Sequence, residues 1–567
     1  MEIITHDILV IGGGLTGLRA AIEAKRAGRD VAVLSKVHPV RSHSVAAQGG
    51  INAALGNAPS SAKDSWENHA FDTVKGSDYL ADQDAVEVLC REGIERVIEM
   101  EHWGTLFSRT EDAKIAQRPF GGAGFPRACY AADRTGHNLL HVLYEQATGL
   151  HIPVYEEWYV LALVLDDGKC TGVLALNFFE GKIIPIHAKS TILATGGYGR
   201  IYLKSTNALI NTGDGCYLAY RAGVPLKDME FVQFHPTSLY GTNILITEGA
   251  RGEGGYLINA RGERFMERYA PKLMELGPRD IVTRGIQTEI DEGRGFEGGY
   301  VHLDLRHLGK EKIMDRLPGI RQISMDFAGV NPIEKPIPIQ PAQHYSMGGI
   351  DTNIDGATLL PGLYAAGECA CVSVHGANRL GGNSLLETVV FGMRAGRRAS
   401  QESEKRKTAF QKHIFQESLM AFQTNLDERL NRRGEESCFR LRDELKSLMT
   451  AQVGIFRKES DLRSAKEKIK ELQERSKQVE IKQKGLAFNY EWIQYLELEG
   501  MLHVAEVIVE GSLARKESRG SHFRLDHPDR DDEHWLRHTM AYNTPSGPRL
   551  EYKEVTITKY PPEKRTY

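Results

Sequence analysis

Asp7-Ile-Leu-Val-Ile-Gly-Gly-Gly-Leu-Thr-Gly17 is the stretch whose reading decides the fold of this 567-residue chain. Asp7 to Ile11 is an apolar run of strand length, Gly12 to Gly17 has the GxGxxG spacing, Leu18 to Gly28 has helical periodicity, and Val31 to Leu34 makes a second strand. Together they predict a βαβ dinucleotide cradle. Its glycines let the backbone turn tightly and approach a pyrophosphate, whose charge rests on the positive N-terminus of the following helix. A nicotinamide site would carry an acid at the end of the second strand to hold the ribose hydroxyls. That place holds Leu34-Ser-Lys36, which counts against it.

Downstream runs Arg41-Ser-His-Ser-Val-Ala-Ala-Gln-Gly-Gly50, whose glycine-rich end offers a second loop able to hug a phosphate or a ring. Taken alone, His43 reads as a hydrogen-bonded loop histidine. The whole run Ser35-Lys-Val-His-Pro-Val-Arg-Ser-His-Ser-Val-Ala-Ala-Gln-Gly-Gly50, however, closely resembles the flavoprotein subunits of succinate dehydrogenase and fumarate reductase. In that family the histidine of Arg-Ser-His is bonded to the 8α carbon of FAD. The resemblance implies covalent FAD on His43. It also implies cofactor contacts from Gly12, Gly13, Gly14, Leu15, Thr16, Gly17, Ser35, Lys36, Arg41, Ser42, Ser44, Gln48, Gly49, Gly50, Asp214, Glu368, Ser384 and Leu385.

Composition narrows the class. A chain of this length needs two to four domains, and 41% hydrophobic residues with a net charge of -4 give no electrostatic case for nucleic acid. No apolar run approaches the ~18 residues of a membrane helix, and no basic-then-apolar leader is expected ahead of the first strand. Seven cysteines, at 90, 129, 170, 216, 369, 371 and 438, form no CxxC pair, which argues against a disulfide framework and against a cluster held by this chain alone. Cys369 and Cys371 read as buried small hydrophobes.

Along the chain, Tyr79 to Asp84 supplies caps for a helix continuing from Ala85, and Gln117 to Phe125 is a glycine-rich turn. Val154 to Leu165, Gly172 to Asn177 and Ile183 to His187 predict a β-meander, and Thr191 to Ala194 a further strand. Thr212-Gly-Asp-Gly215 opens a helix through Ala222, with Asp214 as its cap unless it serves the cofactor, or both. From Phe231 to about Pro341 the composition changes to an insertion. Asn383-Ser384 then begins a helix ending near Arg398, its positive end suited to negative charge on a reduced flavin. Leu462, Ala465, Ile469, Leu472 and Val479 predict the buried stripe of a small helical bundle. His522, Asp526 and His527 could suggest metal ligands, but their loop spacing specifies no convergent geometry, so no metal is expected.

The resemblance places four dicarboxylate-binding residues, His235, Thr247, His344 and Arg379, on both sides of the insertion. Arginine suits a carboxylate because its planar fork binds both oxygens. Arg279 matches the family's proton-transfer residue; a guanidinium cannot wait as a free base, so Glu248 and Arg251 are expected to reload it.

The fold class expected is α/β, a Rossmann-like FAD-binding domain (1–230 and 343–400) interrupted by an α+β capping domain (231–342). A helical domain (401–515) and a small C-terminal domain (516–567) follow. The function implied is oxidation of succinate to fumarate, with electrons passed to an iron-sulfur subunit beside a membrane anchor, at the cytoplasmic face of the membrane. Fumarate reductase, L-aspartate oxidase and a non-catalytic assembly subunit are the alternatives. Gln48 favours the first reading, since the family usually carries Gln there in succinate dehydrogenases and Glu in dedicated fumarate reductases.

Overall fold

The computed structural model describes residues 2–406 and 411–566; residues 407–410 of the expected helical domain and the chain's two terminal residues lie outside them. The first strand, β1 (Ile4–Ile11), begins earlier than the apolar run suggested and feeds α1 (Leu15–Arg26) and β2 (Val31–Ser35). β3 (Val154–Glu156), β4 (Trp158–Asp166), β5 (Lys169–Asn177) and β6 (Lys182–Leu193) complete a sheet ordered β3-β2-β1-β6-β5-β4, with the short strand Leu363–Ala365 paired to β6. β2, β1 and β6 run parallel, and β6, β5 and β4 form the antiparallel meander.

Two strand readings are corrected. Val154 to Leu165 is broken at Glu157, whose φ of 58° turns the chain so that β3 pairs with β2 while β4 pairs with β5. Ile183–His187 and Thr191–Ala194 are one strand, because the polar residues that seemed to interrupt it find partners: Lys189 reaches Asp7 at 2.8 Å and Ser190 donates to the Ala399 carbonyl.

α2 (Asp214–Arg221) follows the sheet, and the chain then enters the insertion. There β7 (Val232–Leu239), α3 (Glu248–Gly252), β8 (Tyr256–Ile258), α4 (Arg279–Asp291), β9 (Val301–Asp304) and β10 (Ile337–Ser346) succeed one another. The four strands form their own antiparallel sheet, ordered β7-β10-β9-β8. A separate apolar cluster spanning Leu239 to Ile339 packs beneath it. β10 runs through residue 343, so the insertion returns without a break in the strand.

α5 (Asn383–Lys405) lies against α1 and extends past Arg398. The helix α6 (Lys412–Asn431) lies against β4 and β6, and α7 (Cys438–Gln452), α8 (Glu459–Ser476) and α9 (Tyr490–Ala514) pack as a bundle. Leu462, Ala465, Ile469 and Leu472 are fully buried on α8, and Val479, also buried, falls beyond its end. A final hairpin, β11 (Arg537–Thr544) and β12 (Gly547–Glu554), pairs with Leu226–Lys227.

Asp82 stands at the N-cap of the helix Gln83–His102, but its side chain makes no cap bond; its carboxylate accepts from Thr556 N at 2.7 Å and lies 3.2 Å from His538. In the charged run after Ser518, Arg519, His522 and Arg524 are buried, and His522 accepts from Arg457 at 2.8 Å. His522 therefore does not converge with Asp526 and His527. Those two have ligand atoms within 4.8 Å of Glu459, but both Asp526 oxygens are already held by Arg524 at 2.8 Å. All seven cysteines are buried and free. Among the described residues no helix is long and apolar enough to cross a membrane.

Candidate active site

The glycine loops at the end of the first sheet, the insertion and the start of α5 line one cleft that opens to solvent. Gly12, Gly13, Gly14, Leu15 and Thr16 line it where β1 turns into α1. Gly12 has φ +117°, and a Cβ there would lie 2.1 Å from the Ala194 carbonyl oxygen. Gly17 does not face the cleft; a Cβ on it would sit 1.8 Å from the Gly12 oxygen, so its bareness lets α1 pack onto the loop. A glycine cradle at a helix N-terminus fits a pyrophosphate.

Ser35 and Lys36 continue the wall. Lys36 Nζ lies 2.7 Å from Asp214 and also pairs with Glu497 of α9. Burial opposes its charge, but the two carboxylates outweigh that and raise its pKa. Asp214 is the first residue of α2 rather than its cap, which is Gly213 at φ +83°. The aspartate is thus free to hold Lys36 and accept from Thr212 Oγ1 at 2.8 Å.

Ser42, His43, Ser44, Gln48, Gly49 and Gly50 form the second loop, while Arg41 is exposed and off the cleft. Ser44 Oγ accepts from Leu15 N at 3.3 Å, tying this loop to the first. His43 Nδ1 accepts from Ala208 N at 3.2 Å. Burial, reinforced by Arg200, pushes the His43 pKa down to about 4, so at neutral pH the imidazole is uncharged and keeps a lone pair. Gln48 Nε2 donates to the Leu245 carbonyl at 2.8 Å, while its Oε1 is buried with no partner. Such an orphaned oxygen on a cleft wall fits a donor on a bound group. Glu368 accepts from Ser346 N at 3.0 Å, and burial raises its pKa to about 7. Ser384 and Leu385 stand at the start of α5.

At the insertion side His235 and His344 come from the neighbouring strands β7 and β10, with ring centroids 4.8 Å apart. Burial holds both pKa values well below the ordinary histidine range; Arg279 and Arg251 add to this at His235, and His235 and Arg279 at His344. Thr247 caps α3 through Gly249 N at 3.1 Å. Arg379 donates to Ser384 Oγ at 3.0 Å, and burial followed by Arg279 pulls its pKa to about 9, leaving it cationic at neutral pH. These groups form a buried, positively biased pocket suited to a small polyanion.

Arg279 is the first residue of α4 and gives both Nε and Nη2 to Glu248 Oε2 at 2.7 Å. Burial would raise the Glu248 pKa, but Arg279 and Arg251 overcome it and lower it. Arg251 stands one step behind the cleft, its Nη2 4.0 Å from Glu248 Oε2. The expected relay residues are therefore in series. Sequence reasoning left out Gln233, which accepts from Arg279 Nη1 at 3.2 Å and donates to the Arg379 carbonyl at 2.8 Å. Its place two residues before His235 on the same strand was the available signal.

A family model described as an FAD binding domain matches residues 7–385, and one described as fumarate reductase flavoprotein C-term matches residues 442–567. The chain is 45% identical to the succinate dehydrogenase flavoprotein subunit of Rickettsia bellii over 596 residues, covering 100% of this chain and 99% of the relative. It is also 45% identical to the fumarate reductase flavoprotein subunit of Mycobacterium tuberculosis, covering 99% of each. The structure superposes on an E. coli quinol fumarate reductase chain with a TM-score of 0.96 at 41% identity, covering 100% and 99% of the two chains. The glycine cradle, the cleft and the full-length likeness lead to one assignment: the chain belongs to the succinate dehydrogenase/fumarate reductase flavoprotein subunit family, FAD-dependent oxidoreductases acting on succinate and fumarate.

Proposed function

We propose that this chain is the flavoprotein subunit of a succinate dehydrogenase, carrying FAD covalently on His43 and oxidising succinate to fumarate. The observation that carries the reading is the convergence of His43, His235, Thr247, His344, Arg379 and the Arg279–Glu248 pair on a single cleft. Bound FAD supplies the hydride acceptor. His235, Thr247, His344 and Arg379 bind the two substrate carboxylates, and the dianion brings the negative charge that the pocket lacks. Arg279 takes the proton from the carbon next to the one losing hydride. As it does so, it gives a proton from Nε to Glu248 Oε2, 2.7 Å away, and Glu248 discharges that proton through Arg251, which takes it at one nitrogen while releasing another outward. No neutral arginine accumulates in this sequence.

His43 suits the covalent role because it is neutral, and Asn207 and Ala208 hold its ring. Electrons leave to an iron-sulfur subunit beside a membrane anchor at the cytoplasmic face, a reading supported by seven buried cysteines without a ligand set. The four-domain division stated above belongs to the same reading, and the separate apolar cluster of the insertion supports its capping domain.

Relatives named for each direction are equally similar, so direction rests on Gln48. A carboxylate there would disfavour electrons held on the cofactor, whereas the amide carries no such penalty. The test is the ratio of succinate oxidation to fumarate reduction in the intact complex and in Gln48→Glu. Oxidation should dominate in the parent and the ratio should shift toward reduction in the variant; a parent that strongly prefers fumarate reduction overturns the direction.

A further inference from the structure

Two residues close to the site are not used by the mechanism: Tyr345, beside His344 on β10, and His375, four positions before Arg379. The Arg379 guanidinium lies over the Tyr345 ring, 4.4 Å from its centroid. The Tyr345 hydroxyl donates to Glu387 Oε2, and the same oxygen lies 2.9 Å from His375 Nε2. A carboxylate only accepts, so the proton of that second bond sits on His375 Nε2. The His375 ring also meets Tyr345 edge-on, with centroids 5.3 Å apart. Tyr345, His375 and Glu387 are 6%, 4% and 2% exposed, so water does not screen this chain of contacts.

Arg379 needs such support. Its hydrogen bond to the Ser384 hydroxyl is neutral, its Nε is buried without a partner, and no carboxylate forms an ion pair with it among the described residues. The neighbouring guanidinium of Arg279 repels it, and Glu248, which could have compensated, is committed to Arg279. Glu368 and Glu248 attract it from a distance without pairing, and the group that lies against it is the negative face of an aromatic ring, an attraction stronger in a desolvated setting. A phenol that donates to a carboxylate has a more electron-rich ring, so the Glu387 charge reaches Arg379 through Tyr345 without forming an ion pair. That distinction matters to a substrate site: a directly paired arginine would have to exchange one carboxylate for another.

We propose that Tyr345 is a positioning residue for the dicarboxylate site, holding Arg379 under the substrate carboxylate through a buried chain completed by Glu387 and His375. The proposal rests on Arg379 acting as the carboxylate clamp. It makes substrate affinity depend on groups that do not touch the substrate.

The test uses the full chain loaded with FAD, with malonate as a dicarboxylate probe whose binding is read from the flavin absorbance. Turnover of succinate with an artificial dye gives KM and kcat. Tyr345→Leu removes the ring face and should weaken malonate binding by roughly 5- to 30-fold, the range a desolvated cation-ring contact supports. The succinate KM should rise in parallel, with kcat at saturation within about threefold. Tyr345→Phe keeps the face but loses the hydroxyl that carries the Glu387 charge, so its malonate affinity should fall less than that of Tyr345→Leu and match that of Glu387→Gln. Malonate affinity unchanged in Tyr345→Leu, or a fall in kcat alone, overturns the proposal. If Tyr345→Leu does not fold, Glu387→Gln decides: parent-like affinity there overturns it. Arg379→Gln is the control for the underlying reading, because unchanged malonate binding in that variant removes Arg379 from the clamp, whatever Tyr345 does.

Discussion

Arg279→Lys isolates the proton step from substrate binding. Arg279 makes three side-chain contacts: Nε and Nη2 with Glu248 at 2.7 Å, and Nη1 with Gln233 at 3.2 Å. A lysine ammonium keeps the charge beside Glu248 but holds only one of the two Glu248 bonds, and it lacks the planar fork that fixes their direction. Losing one charge-assisted bond costs about 1.5–3 kcal/mol of stability, so the variant should remain folded. The chemistry suffers more, because a misplaced proton-transfer group forfeits about 10²–10⁴ in rate, equal to about 3–5 kcal/mol of barrier. His235, His344 and Arg379 are untouched, so malonate affinity should change by less than tenfold. The assay is succinate turnover with an artificial dye and fumarate turnover with a reduced dye, alongside malonate titration. Collapse in both directions with near-parent malonate binding is expected. Near-normal turnover would remove Arg279 from the mechanism, and equal losses in binding and rate would make it a binding residue.

Covalent attachment predicts that acid-precipitated, SDS-denatured protein keeps flavin fluorescence in the 63.2 kDa band. His43→Ser should still bind FAD through the βαβ cradle but lose the fluorescent band and oxidise succinate poorly; complete release of flavin from the parent refutes the bond. A second prediction concerns pH. His538 is buried between Asp228 at 2.6 Å and Asp82 at 3.2 Å; burial alone would lower its pKa, but the two carboxylates raise it to about 9. A folded pKa above the ordinary 6.5 means that this stabilisation is complete below pH 6.5 and is lost as pH rises through about 9. Its size is at most about 3 kcal/mol, so the melting midpoint should fall between pH 7 and pH 10, and His538→Gln should flatten that decline. A parent midpoint that stays level across this range would contradict the pairing.

The cradle, the His43 loop and the order of the site motifs were legible because each is local: a few residues whose spacing fixes their own backbone. What was not legible depends on distant partners. Lys189 and Ser190 looked like a break in a strand until Asp7 and Ala399 met them from 182 and 209 positions away, and so one strand was read as two. Asp214 looked like a cap because its partners, Lys36 just after β2 and Tyr159 on β4, are far away in sequence. Arg41 matched the family motif yet points outward, since matching a motif identifies the loop but not the direction of each side chain. The alternating charges of the C-terminal run gave no fixed geometry in sequence because their partners, such as Glu517 and Asp532 for Arg519, are settled only by the folded chain. The Tyr345 chain was hidden for a related reason: its members lie on β10, on α5 and in the loop that precedes α5, which the fold alone brings together.

The most direct test of the central claim is anaerobic addition of succinate to the purified, FAD-loaded chain, with the flavin's visible absorbance and the fumarate formed recorded together. The flavin should bleach with succinate but not with malonate, and one fumarate should appear for each flavin reduced. A flavin that keeps its colour in excess succinate, although malonate binding shows the pocket intact, would contradict the account.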